Sequence, residues 1–279
     1  MGDSQKSRKF RIGIALSAGG AKGIAHVGVL EALEEAGIQA DIIAGTSMGA
    51  VVGGVYALGK TPQEMRSILK NFDEKVIRGI TRIKLSLEGI FDAERMHNIL
   101  FKLYGKKTFS DTKIPFSCIA YNIDDMKPVE FSSGLLMDGV QASASIPGFF
   151  PPYVINNKRF VDGGIYSPIP LSLLKDKCDF LIAVSIPFNY EKIRLRLNPP
   201  LLQIMARSIS TLANELYKAK LQIFKPDFVI DLHQLFSFST FEFQRMEEII
   251  QIGKKSTSER INQLHEKIKQ KKKELGFIP

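Results

Sequence analysis

Short apolar runs and longer helical periods alternate through the first half of the chain. The run "RIGIAL" (Arg11–Leu16) has the near-continuous hydrophobicity of a strand covered on both faces. "KGIAHVGVLEALEEAG" then puts Ile24, Val27, Leu30 and Leu33 on one side of a helix that stops at Gly37. "ADIIAG" predicts a second strand, and "SMGAVVGGVYALG" a helix of small residues ending at Gly59. In "TPQEMRSILKNF", Thr61 predicts the N-cap, Pro62 the first turn and Glu64 the capping box of a third helix. Residues 73–97 are less regular, and "FDAERMHNILFKLYG" resumes the helical period.

The second half repeats the alternation. "IPFSCIAYNID" and "KPVEFSSG" predict paired strands around a turn at Asp124 and Asp125, and "LLMDGVQASASI" predicts a helix. In the Pro/Gly-rich stretch "PGFFPPYVINNKRFVDGGIYSPIP", two short strands join through Asn156–Asn157. "CDFLIAVSIP" reads as a buried strand, "PLLQIMARSISTLANELYKAKLQIF" as a long helix and "DFVIDL" as a last strand before a helical end. The whole predicts an α/β fold with a central, mostly parallel sheet and helices on both faces. One domain is expected over residues 1–279, with a core at about 11–253 and a basic helical tail at about 254–279.

Composition changes this picture only in places. No apolar run approaches the ~20 residues of a membrane helix. The basic and apolar N-terminus imitates a signal peptide, but its apolar core, Ile12–Leu16, is too short. Lys6 stands where a myristoylation site on Gly2 needs Ser or Thr. Cys118 and Cys178 sit in apolar stretches and read as buried free thiols, suited to a reducing, cytoplasmic compartment. No Cys/His cluster has metal spacing, so no metal is expected. The net charge of +9 favours anionic partners, a membrane surface among them. The tail contributes to that excess, and reads as a solvated helix face. Self-association is left open by the sequence.

Chemistry concentrates in "IIAGTSMGA". Gly45, Ser47 and Gly49 form G-x-S-x-G between a strand and a small-residue helix, the setting of a nucleophile elbow. Ser47 as a plain N-cap is the structural alternative. A serine nucleophile needs a base. His26 and His97 fall inside helical patterns and His265 in the charged tail, which leaves His233 in "IDLHQL". Asp162, at the end of a short strand before Gly163 and Gly164, is the other candidate, although Asp-Gly pairs also mark ordinary turns.

The segments "SAGGAKG", "GTSMG" and "VDGG" occur in this order. Together with "KGIAHVGVLEALEEAGI", "GIFDAERM", "TFSDTKIPFSCIA", "ASASIPGFFPP" and "FVDGGIYSPIP", they resemble the patatin-like phospholipase family from about Arg11 to about Gly253. The resemblance implies a three-layer α/β/α sandwich and a Ser–Asp dyad without histidine, with Ser47 as nucleophile and Asp162 as base. It implies an oxyanion hole from the N–H groups of Gly19 and Gly20, with Lys22 at the family's basic position beside that loop. Ala18 departs from the family's usual glycine, which puts the donor nearest it in question. No cofactor is implied, and the substrate would be a fatty-acyl ester: a phospholipid, a lysophospholipid or a neutral lipid.

Phenylalanines in "PGFFPP" (Phe149, Phe150) and "LFSFSTFEF" (Phe236, Phe238, Phe241, Phe243) are candidates for an acyl channel or a lipid interface, with core packing as the alternative. So is Val76–Phe91, with Arg78, Arg82 and Lys84. Three other functions remain in view, and a phosphate-binding P-loop is excluded. Asp41, about 20 residues beyond the glycine loop, would suit a dinucleotide site, but Ala18 breaks G-x-G-x-x-G. A P-loop would need Lys then Ser or Thr, whereas Lys22 precedes Gly23. A Ser–His–Asp esterase would use His233, and a non-catalytic lipid-binding module would use none of these groups. Nucleic acid is not an expected partner.

Overall fold

Strand β1 (Ile12–Leu16) lies at the centre of the structure, paired in parallel with β2 (Ile42–Gly45) on one side and β7 (Phe180–Ser185) on the other. The structure is a computed structural model that describes residues 8–71, 89, 91–187 and 200–278. Arg78, Arg82, Lys84, Gly2 and Lys6 lie outside the described residues. The other strands are β3 (Phe116–Asn122), β4 (Lys127–Phe131), β5 (Tyr153–Ile155), β6 (Lys158–Asp162) and β8 (Phe228–Asp231). They form one sheet in the order β5-β6-β3-β2-β1-β7-β8, with β4 added to β3. The run from β3 through β2, β1 and β7 to β8 is parallel, while β4, β5 and β6 add antiparallel pairs.

The described α-helices are α1 (Ala25–Glu35), α2 (Met48–Ala57), α3 (Pro62–Lys70), α4 (Ala93–Tyr104), α5 (Leu136–Ala144), α6 (Pro200–Phe224), α7 (Met246–Ser258) and α8 (Ile261–Glu274). They form two layers, because the central strands send apolar side chains both ways. Ile14, Leu16, Ile43, Ile182 and Val184 join the core beneath α1, α2 and α7. Ala15, Ile42, Ala44, Leu181 and Ala183 face the opposite side, where Ile169–Leu174 and Tyr217, Leu221 and Phe224 of α6 cover them. This is the expected α/β/α sandwich.

Local chemistry explains several joints. Thr61 caps α3, and Glu64 reaches back to the Thr61 N–H, completing the capping box. Asn156 and Asn157 have φ of 51° and 60°, the left-handed pair that a two-residue hairpin needs. Helix α1 departs from the amphipathic expectation: every residue from Ala25 to Leu33 is buried, because α7 covers the side left polar by the pattern. Its Glu31 is held by Arg66 at 2.6 Å and Lys254 at 3.1 Å.

One edge of β3 carries two strands. β2 pairs in parallel with Phe116–Cys118, and β6 pairs antiparallel with Ala120–Asn122, while β4 occupies the opposite edge. The C-terminal ends of β2 and β6 therefore run toward each other and meet at Ile119. Gly45 is level with Cys118, and Asp162 with Ala120.

The boundary expected near residue 253 falls inside α7. Gly28 and Gly253 bring α7 against α1 so closely that a Cβ on Gly28 would lie 1.9 Å from the Ile250 carbonyl oxygen, and one on Gly253 2.2 Å from that of Ala25. Leu264 and Ile268 of α8 are buried, so the basic tail has a docked apolar side besides its solvated one. Gly28→Ala should lower stability by about 1–3 kcal/mol through overpacking, read as a fall in thermal midpoint. An unchanged midpoint would mean that α7 can move off α1 at no cost.

Candidate active site

Ser47 sits at the junction of β2 and α2 with φ 55° and ψ −122°, a conformation that L-residues rarely adopt. Its neighbours explain why the turn can be so tight. A Cβ on Gly45 would lie 2.4 Å from the Gly49 carbonyl oxygen, and one on Gly49 2.3 Å from that of Leu16. The strained peptide is tied down from below. The Ser47 N–H donates to the Ser143 hydroxyl at 2.9 Å, and that hydroxyl donates to the Ile119 carbonyl at 2.7 Å. The bond anchors the turn to the point on β3 where β2 and β6 converge.

Asp162 ends β6 on the other side of that point. Its N–H donates to the Ser145 carbonyl at 2.8 Å, and its Oδ1 accepts the Gly164 N–H at 2.7 Å. Ser47 stands near enough to this carboxyl to lower its pKa. Gly163 packs so closely that a Cβ there would lie 2.1 Å from the Ile119 carbonyl oxygen. Asp162 is 5% exposed, and burial pushes its carboxyl up to about 6, against the lowering effect of Ser47 and the Gly164 N–H.

The glycine loop faces this pair. Ala18 N–H donates to the Pro168 carbonyl at 2.8 Å, and Ala21 N–H donates to that of Thr240 at 2.7 Å. Between them, the Gly19 and Gly20 N–H groups have no hydrogen-bond partner among the described residues. Ala18 is not among the residues with positive φ, so it meets no backbone strain. The left-handed position is Gly20, at φ 56°, where a Cβ would lie 2.4 Å from the Thr240 carbonyl oxygen. The geometric demand falls there and not at residue 18.

Ser47, Asp162, Ala18, Gly19, Gly20 and Gly164 line one pocket of about 160 Å³. Its walls include Ile146, Pro147, Ile165 and, from α6, Ile209, Leu212 and Leu216. Lys22 is not part of this lining. It is 1% exposed, its ammonium donates to the Pro187 carbonyl, and burial pushes its pKa down to about 8. Four groups that matter here are not predicted by the sequence: Ser143, Ser145, Thr240 and the α6 wall. The small residues in "ASAS" are a signal for the two serines, but nothing local marks Thr240 or α6.

The histidines stand elsewhere. His26 Nε2–H donates to the Ser17 carbonyl at 2.8 Å, while its buried Nδ1 has no partner. Burial pushes its pKa down to about 4, so the ring is neutral. His97 bonds Gln141, His265 bonds the Ala36 carbonyl, and His233 is exposed and outside the pocket lining. Asp41 hydrogen-bonds the Ile12 N–H at the far end of β1 from the glycine loop, so it cannot serve a dinucleotide there. Phe149 and Phe150 pack on Phe91, with Phe149 also against Phe241, and they line core rather than this pocket. Among the described residues, no group of His, Cys, Asp and Glu could hold a metal ion.

The patatin-like phospholipase family model matches residues 14–175, more than half of the chain and all of these groups up to Pro168. This chain belongs to that family. An NTE family protein of Mycobacterium tuberculosis is 36% identical over 177 residues, which is 63% of this chain and 49% of that protein. The lysophospholipase nte1 of Emericella nidulans is 34% identical over 180 residues, 63% of this chain and 12% of its own length. The chain thus spans about half, or much less, of these curated relatives. VipD of Legionella pneumophila has a TM-score of 0.49 at 14% identity, covering 92% of this chain and 68% of that one.

The buried carboxyl of this patatin-like site has a consequence for stability. Its pKa in the fold, about 6, lies above the ordinary 3.8, so the folded state binds a proton more tightly than the unfolded chain. Stability from that proton is full below about pH 4 and is lost as pH rises through 6. Asp162→Asn should therefore raise the thermal midpoint at pH 7.5 by the equivalent of up to about 3 kcal/mol, and much less at pH 4. Equal shifts at both pH values would show that ionisation is not the cause.

Proposed function

We propose that this chain hydrolyses fatty-acyl esters of phospholipids, lysophospholipids or neutral lipids through a Ser47–Asp162 dyad. The observation that carries the reading is Ser47 and a buried carboxylate lining one pocket, with two backbone N–H groups that are uncommitted among the described residues. Membership of a family of phospholipases, and the name lysophospholipase on fungal relatives, support the choice of ester.

In this mechanism Ser47 Oγ attacks the ester carbonyl carbon while Asp162 takes the hydroxyl proton. The carbonyl oxygen becomes an oxyanion, received by the Gly19 and Gly20 N–H groups. One such donor is typically worth ~3–4 kcal/mol of barrier. The carbonyl reforms, the ester C–O bond breaks, and the leaving alkoxide takes the proton from Asp162. Water then attacks the acyl-serine, giving its proton to Asp162, and the fatty acid departs as Ser47 Oγ recovers that proton. A free aspartate, with a pKa of ~3.9, is a poor base. Burial raises Asp162 toward 6, which strengthens it while leaving it ionised at neutral pH.

A fluorophosphonate should label the wild type and not Ser47→Ala, and ester hydrolysis should be lost in Ser47→Ala and Asp162→Asn but kept in His233→Ala. kcat/KM should rise as pH increases through about 6, where Asp162 ionises. Ester hydrolysis by Ser47→Ala at the wild-type rate would end this reading.

The proposal extends to where the substrate is met. No described helix is long and apolar enough to cross a membrane. Leu212 of α6 lines the pocket yet is 64% exposed, Ile204 on the same helix is 61% exposed, and Arg207, Lys218 and Lys220 accompany them. This combination suits an anionic lipid surface at the pocket mouth. Binding to vesicles containing phosphatidylglycerol should exceed binding to pure phosphatidylcholine and fall with added salt. Leu212→Glu should weaken it, and binding indifferent to lipid charge, salt and this substitution would refute the surface.

A further inference from the structure

A second cavity, of about 100 Å³, lies against α2, and its described lining is apolar throughout. It shares no lining residue with the Ser47 pocket, yet the two adjoin in sequence: Ser47 belongs to one and Met48 to the other. From α2 the cavity takes Met48, Val51, Val52 and Val55, the stripe of a helix leading away from the nucleophile. From Met48 to Val55 this path covers ~10 Å at the helical rise. Met65 and Phe243 also line it.

We propose that this cavity receives the distal part of the acyl chain whose ester carbonyl is held at Ser47, with the Met48 side chain as the gate between the two spaces. The inference rests on the acyl-ester reading above and deepens it. Three observations carry it. An all-apolar cavity offers nothing to a headgroup or to water and selects hydrocarbon. Met48 packs against the turn after the oxyanion-loop glycines, where a Cβ on Gly23 would lie 2.4 Å from the Met48 Cβ, so it touches both the loop and the cavity. Methionine is also the side chain best able to swing aside, being unbranched with three rotatable bonds, and Met65 and Met246 give the lining the same adaptability. Chain length would then be read by how far hydrocarbon extends along α2, independently of the dyad.

The test is a chain-length series of p-nitrophenyl esters, butyrate, octanoate and dodecanoate, on the wild type, Val55→Phe and Met65→Ala. Val55→Phe fills the cavity and should lower the dodecanoate-to-butyrate ratio of kcat/KM by about tenfold, the loss of roughly two buried methylenes. Met65→Ala enlarges it and should shift that ratio the other way. A ratio that stays at the wild-type value in both variants, or a loss equal for all esters, overturns the proposal. Binding of a fluorescent polyene fatty acid to Ser47→Ala, and its weakening in Ser47→Ala with Val55→Phe, gives a readout free of catalysis. Fatty-acid binding that ignores Val55→Phe also overturns it. If the wild type took no fluorophosphonate and cleaved no ester, the dyad reading would fail while the fatty-acid arm still decided the cavity.

Discussion

β3 offers a single edge to two partners, and their opposed directions bring two chain ends together. β2 arrives in parallel and stops level with Cys118, while β6 arrives antiparallel and stops level with Ala120. The segments leaving the two strands are forced into the gap at Ile119: the Ser47 turn from one side, Asp162 and its glycines from the other. Ladder hydrogen bonds of the sheet thus fix the separation of the two side chains. The Ile119 carbonyl also receives the Ser143 hydroxyl, which in turn holds the Ser47 N–H. A non-glycine residue at φ 55° costs of order 1–3 kcal/mol and persists only when its surroundings over-determine it. Here the surroundings are the two strands, the Ser143 bridge and the glycines at positions 45 and 49.

The glycine loop is likewise held by fixed neighbours. His26 ties the Ser17 carbonyl, the Ser17 hydroxyl accepts the Ile186 N–H, and the N–H groups of Ala18 and Ala21 are taken by Pro168 and Thr240. Four bonds around the loop leave the Gly19 and Gly20 N–H groups without a partner among the described residues. In the proposed mechanism, donors already in place need no rearrangement when charge develops, which is where electrostatic stabilisation is largest. Lys22 belongs to this scaffold rather than to the pocket wall. Its ammonium is buried against the Pro187 carbonyl, and desolvation, not a carboxylate, sets its lowered pKa.

Much of the fold was legible because its signals are local. The capping box of α3, the Asn156–Asn157 turn and the double-sided strands each arise from a few adjacent residues. The serine turn was legible for the same reason, since Gly45 and Gly49 carry its steric requirement within five residues. Other parts depend on distant packing. The full burial of α1 requires α7, more than two hundred residues on, and no periodicity within α1 announces it. The division near residue 253 follows the extent of the family resemblance, whereas Gly253 itself lies within α7 and its lack of a side chain serves the contact with Ala25. Ala18 drew attention because it departs from a family pattern, but the left-handed backbone that such a loop requires is carried by Gly20 against Thr240. Thr240 is visible as a loop partner only in three dimensions.

This division between near and distant signals has a functional counterpart. Ser47, Asp162 and the Gly19 and Gly20 N–H groups are placed by the sheet and by turns immediately after its strands. The pocket walls come from elsewhere: from Ile146 and Pro147 after α5, from α6, and from Thr240 in the segment after β8. The second cavity is likewise walled by α2, α3 and α4 together with Phe243 and Met246. Wall residues can therefore change size without disturbing the strand pairing that sets Ser47 against Asp162. A core substitution at Ile119, by contrast, would move both at once. Under the proposed mechanism, reactivity and substrate fit are carried by different layers of the sandwich, and α2 is the element common to both, with its N-terminus at Ser47 and its apolar side along the second cavity.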